Sequence, residues 1–280
     1  MENLKTSSHT RSLSLPSTSH PLNASIEIQF CKLRAATQAR PSSLSICQNL
    51  CNIKDLYEQM NDMIHLPNNQ QVLSNEHHKK EVERVLEGSL SLLDASSSGL
   101  DALSQMKDSI LEIESALRRG INDEGIHIFE VSRKKVCKVL SKSLANLKKA
   151  EKNCALTQPE GACITVRMLK EAEAISLSIL KSLFSFLMGN KAASQTRGWS
   201  LVAKLVKSKH VSRDAENITE VVCIDNALST LSDNHSSDET KVVLRQLELL
   251  EKVILDLEDG LESISRCFVR TRVSLLNVYN

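Results

Sequence analysis

Between residues 243 and 275 a largely apolar seam returns at alternating steps of four and three: Val243, Leu247, Leu250, Ile254, Leu257, Leu261, Ile264, Phe268, Thr271 and Leu275. A strand needs a step of two, so only a helix gathers this set on one side. Kept up over such a length, the pattern also resembles a coiled-coil seam. In a two-stranded coiled coil the flanking positions carry charge, whereas here Leu244, Val253, Gly260 and Cys267 widen the apolar stripe. The wider stripe predicts a helix packed by neighbours of its own chain on both sides, in preference to a dimer. Asp238 and Glu239 suit the positive end of a helix dipole and set its start at Ser236 or Ser237. At ~1.5 Å per residue such a helix is roughly 60 Å long, long enough to act as the spine of the fold.

The remaining chain can supply partners for that spine. Ile26, Phe30 and Leu33 predict a short helix that Pro41 ends, and Ser43 or Ser45 can cap a second one reaching Leu66. Its inward stripe is Ile46, Leu50, Ile53, Leu56, Tyr57, Met60 and Ile64, and Pro67 with Asn68 and Asn69 breaks the chain after it. A third helix is expected from Asn75, carrying Val82, Val85, Leu86, Leu92 and Leu93 inward, with a tight connection at 96–99. A fourth, with Leu103, Met106, Ile110, Ile113 and Leu117 inward, stops at Gly120. Further helices are expected over 126–152 and 162–188, the latter closed by Gly189, and shorter ones over 199–207 and 218–231. Aromatic residues make up only 3% of the chain, with 8 Gly and 5 Pro, too few for the packing and turns of a sheet protein. The expected fold is all-α: an elongated helical bundle over 23–280 with a long C-terminal spine helix. A disordered, Ser-rich N-terminal tail over 1–22 precedes it.

Charge and cysteine content narrow the class. Net charge is +1, which favours neither a globally basic nucleic-acid binder nor an acidic buffer protein. The 8 Cys include no C-x-x-C pair and follow no apolar leader segment, so reduced, mostly buried thiols are expected. No stretch reaches the ~20 apolar residues of a spanning helix. The expected location is cytoplasmic, free or at a membrane surface. A chloroplast transit peptide is the alternative reading of the Ser- and Thr-rich start.

Enzyme signals are weak. No phosphate-cradling glycine motif occurs, and the Glu124/His127 and His77/His78/Glu81 groupings offer too few metal ligands. No catalytic, cofactor-binding or metal residues are therefore assigned. Two surface features remain. Arg133, Lys134, Lys135, Lys138, Lys142 and Lys149 form a basic stripe, with Lys134, Lys138 and Lys142 stacked every fourth residue. It is either a solvated face, or one paired within the chain to acids of the last helix such as Glu258 and Glu262, or a contact for an anionic membrane or acidic protein. Nucleic acid is disfavoured, because no aromatic side chains interleave. In the tail, Arg11, Ser12, Ser14 and Pro16 have the order read by phosphoserine-binding proteins. Those proteins clamp the phosphate with arginines, while the proline turns the peptide out of the groove.

Several runs also resemble one family. The opening His9-Thr10-Arg11-Ser12-Leu13-Ser14-Leu15-Pro16-Ser17, then His20-Pro21, is similar to the start of a plant-specific family of unknown function (domain of unknown function 241), related to BYPASS-type developmental proteins. Asp55-Leu56-Tyr57, Leu66-Pro67, Glu87-Gly88-Ser89-Leu90, Trp199-Ser200-Leu201-Val202 and Thr271-Arg272-Val273-Ser274-Leu275 continue the likeness. Asn68 and Asn69 depart from it. The resemblance implies an all-helical protein of root and shoot development with no assigned enzymatic activity or cofactor. The expected function is that of a non-enzymatic adaptor or regulator acting through protein partners. The alternative is an enzyme or small-molecule carrier with a pocket between helices.

Overall fold

The computed structural model describes residues 21–37, 42–156, 163–189, 219–234 and 236–279, and among them every regular element is a helix. The helices are α1 (Pro21–Thr37), α2 (Ser43–Ile64), α3 (Pro67–Leu73), α4 (Lys79–Arg118), α5 (Asn122–Leu156), α6 (Ile164–Leu187), α7 (Glu220–Asn234) and α8 (Ser237–Tyr279), with one 3-10 turn over Glu76–His78. Residues 1–20 and 199–207 lie outside the described residues.

The seam runs along α8, and each of its ten side chains is at most 5% exposed. Helices α2, α4 and α7 of the same chain cover it. Helix α4 in turn packs on α5 and α6, and α1 closes over α2 and α6. A single apolar cluster threads all of these elements, from Ile26 in α1 to Leu275 in α8. Specific contacts pin the spine. Phe268 meets Tyr57 of α2 edge-on, with ring centroids 4.7 Å apart. Lys107 of α4 reaches Glu258 at 2.7 Å, and the Arg272 guanidinium donates to the Leu86 carbonyl and to Ser89.

The expected break at 96–99 is absent, and α4 runs through it as one helix of 40 residues. The small polar residues there serve packing. Ser96, fully buried, satisfies its hydroxyl by donating to the Leu92 carbonyl at 2.9 Å, and Ser98 does the same to Asp94. Gly99 lets α4 approach its neighbours: a Cβ there would stand 2.6 Å from Leu261 of α8 and 3.2 Å from Phe184 of α6. Gly260 does the same on α8, where a Cβ would lie 3.0 Å from Leu50 of α2.

The ends follow ordinary capping rules with small shifts. The cap of α2 is Ser42, one residue before the expected pair, and Ser45 returns a bond to the Ser42 N–H in a capping box. Pro67 opens the short α3, where a missing N–H costs nothing. Asn75 caps the 3-10 turn, so α4 starts at Lys79. Gly120 (φ +77°) and Gly189 (φ +63°) close α4 and α6 in the left-handed conformation that favours glycine. The cysteines are free thiols, but only Cys267 is buried. Cys31 and Cys51 are exposed and the other five half-buried, because they sit beside the apolar stripes of their helices. Among the described residues no helix is long and apolar enough to cross a membrane.

Candidate functional site

Helix α5 carries the charge asymmetry of the fold. Asp123 and Glu124 lie at its N-terminal end, where negative charge is favoured. Ile126, Phe129, Val136, Leu140 and Leu147 form its buried stripe. Lys134, Lys135, Lys138, Lys142 and Lys149 all project to solvent, and the exposed Val131 and Val139 stand among them. Lys134 pairs with Glu130 at 3.3 Å. Among the described residues, no acid stands within ion-pair distance of Lys135, Lys138, Lys142 or Lys149. The acids of α8 named as partners are engaged elsewhere, Glu258 with Lys107 and Glu262 with Arg266. The pairing expectation fails because α4 stands between α5 and α8.

Arg133 does not belong to this surface. It is only 7% exposed and turns inward, where Nε faces Asp225 of α7 at 3.6 Å and Nη1 donates to Cys137 Sγ at 3.3 Å. Its position, three residues before Val136 and seven before Leu140, places it on the buried stripe, and helical phase could have shown this from the sequence alone. Arg11, Ser12, Ser14 and Pro16 lie outside the described residues. Among the described residues, His, Cys, Asp and Glu form no group of three suited to a metal ion.

The sequence reading missed a second polar feature. On α6, Lys170 and Glu173 occupy an otherwise apolar face and are each 8% exposed. The Glu173 carboxyl sits on the backbone of Gly88 in α4, where a Cβ would stand 2.1 Å from its Oε1. Burial pushes this carboxyl up from 4.5 to about 7, and nearby Lys170 opposes the rise. Burial likewise lowers the Lys170 ammonium. Below them Ser176 donates to the Ala172 carbonyl at 2.7 Å, with Tyr57 Oη 3.4 Å from the same hydroxyl. Burial raises the Tyr57 phenol well above its ordinary value. Arg84, Glu87, Ser91, Asn153 and Cys154 complete a cleft of about 120 Å³ around the pair. The available signal was helical phase, since Lys170 and Glu173 fall at steps of four, three and four between Val166 and Leu177 on the apolar stripe of α6.

This arrangement supports two kinds of chemistry. The α5 face presents ammonium groups at Lys135, Lys138, Lys142 and Lys149 that have no acidic partner among the described residues. The Glu173 cleft can hold or release one proton near neutral pH. No curated protein matches the chain, and no solved structure does. The family described as "Protein BPS1" matches residues 49–278, which take in most of α2, all of α3 to α7 and all of α8 but its last residue. The chain belongs to this BYPASS-related plant family of unknown function.

Proposed function

We propose that the protein is a non-enzymatic adaptor or regulator in plant root and shoot development, working in the cytoplasm by presenting helix surfaces and its N-terminal tail to protein partners. The observation that carries this reading is the continuous apolar core through α1 to α8, which commits the inward faces to packing and leaves the outward faces for recognition. Family membership supports the developmental role. Arg11, Ser14 and Pro16 are the docking element, with phosphate on Ser14 switching a phosphoserine-binding partner on. A phosphopeptide covering residues 10–18 is expected to bind such a partner at micromolar concentration and the unphosphorylated peptide to bind far more weakly. Equal or absent binding of the two would overturn the docking element. Affinity purification from plant tissue, wild type against Ser14→Ala, then identifies the partner lost.

One observation favours the carrier alternative. The cleft at Glu173 joins a buried acid to polar walls, and a groove of about 720 Å³ lined by Arg34, Arg167 and Lys170 opens beside it. A small ligand held there would protect Cys154, which lines both spaces, from alkylation.

A further inference from the structure

We propose that the outward face of α5 docks on an anionic phospholipid bilayer, with Lys135, Lys138, Lys142 and Lys149 over the headgroups and Val131 and Val139 entering the interface. This surface and partner are separate from the tail motif, so either can fail without the other.

The four lysines follow one another at steps of three, four and seven, which keeps them on one side of the helix. Lys135, Lys138 and Lys142 follow one another within the ~8 Å screening length at physiological salt and Lys149 lies about 10 Å further on, so their fields overlap along a line of roughly 20 Å. Among the described residues none of the four has an acidic partner, so the row meets an external surface with its charge intact. Val131 lies four residues before Lys135, and Val139 one after Lys138, with 36% and 40% of their surface exposed. Apolar side chains set among lysines suit a helix lying in the plane of a membrane interface, where the lysine stems also bury while the ammonium stays wet.

Composition selects the bilayer over other anionic partners. Protein interfaces are enriched in arginine and aromatic residues and depleted in lysine. On this face the one arginine of the run, Arg133, is turned into the core against Asp225. Lysine is a point charge without the fork that reads a carboxylate in two places, and it serves best against a diffuse negative surface. Single-stranded nucleic acid would need stacking residues, and the face carries none.

The test is co-sedimentation of the full-length protein with phosphatidylcholine vesicles, with and without phosphatidylserine, at physiological and raised salt. Binding is expected only with phosphatidylserine and should weaken as salt rises. Each lysine is worth about five-fold, so Lys135→Gln, Lys138→Gln and Lys142→Gln together should weaken partitioning on the order of a hundredfold. Reversal of the same three to Glu should abolish it. A control with equal charge change, Lys32→Glu, Lys80→Glu and Lys252→Glu at exposed sites on other helices, should retain most of the binding. Val131→Asn with Val139→Asn should weaken binding while leaving its salt dependence in place. Circular dichroism checks that each variant keeps its helices, and the Gln set serves if the Glu set does not fold. Equal binding to neutral vesicles, equal loss in the control, or tighter binding to an acidic peptide or duplex nucleic acid than to phosphatidylserine vesicles would overturn the proposal.

Discussion

Glu173 is an acid placed where water is scarce, and its proton follows from that. Its ordinary value of 4.5 holds in the unfolded chain and about 7 in the folded one, so between these limits the folded state binds the extra proton. Stability therefore falls as pH rises from about 4.5 to 7 and levels off above. The shift corresponds to a loss on the order of 3 kcal/mol. Glu173→Gln, which keeps the shape without the charge, is expected to unfold at higher temperature than wild type at pH 8 and to differ little at pH 5. Thermal melts across this range check it. Gly88 is part of the same device, since a methyl group there would drive the carboxyl out of its niche. Lys170 and Glu173 were visible in the sequence as two charges in phase with the apolar stripe of α6. The glycine that makes room for them is 85 positions away from Glu173 and could not be linked to it without the packing of α4 on α6.

Among the helices, α4 teaches most. Four small residues at 96–99 look like a turn when read locally, because Ser and Gly favour turns and dislike helix interiors. In the fold Gly99 lets α4 press against Phe184 of α6 and Leu261 of α8, and the packing gained there outweighs the weak local preference. Gly99, inside α4, and Gly120, just past its end, should consequently fail differently. Gly99→Val puts branched carbon against Leu261 and Phe184, both fully buried, and is expected to cost about 1–3 kcal/mol in denaturant melts. Gly120→Ala meets no atom within 4 Å but must hold φ near +77°, a strain of roughly 1–2 kcal/mol without loss of packing. In a double variant the two costs should add, since the sites are far apart along α4. Helix α5 shows the converse. Its phase alone puts Arg133 on the buried side, where Asp225 of α7 meets it.

Across the molecule, α8 is the common wall against which α2, α4 and α7 are laid. Phe268 stands near the middle of its C-terminal half, 1% exposed and edge-on to Tyr57. Phe268→Ala is expected to cost about 3–5 kcal/mol, a large part of the 5–15 kcal/mol that holds a typical domain together. Deleting α8 from Gly260 onward would remove Leu261, Ile264, Cys267, Phe268 and Leu275 from the core at once. Such a truncation should lose cooperative unfolding altogether, whereas removing residues 1–20 should leave the midpoint unchanged. Calorimetry distinguishes the two. A cooperative truncated protein would show that α8 covers the bundle without supporting it.

Helical class, the positions of most helices and the seam of α8 were legible from periodicity, because each depends on side chains a few positions apart on the same helix. So was the run of lysines on α5. Three things needed the assembled bundle: the continuity of α4, the absence among the described residues of acids opposite Lys138 and Lys142, and the Gly88 niche of Glu173. Each depends on which side chain of a distant helix arrives at a given height, and that is settled when apolar faces find one another in three dimensions. Local spacing tells which way a residue points on its own helix; only the neighbouring helix tells what it meets.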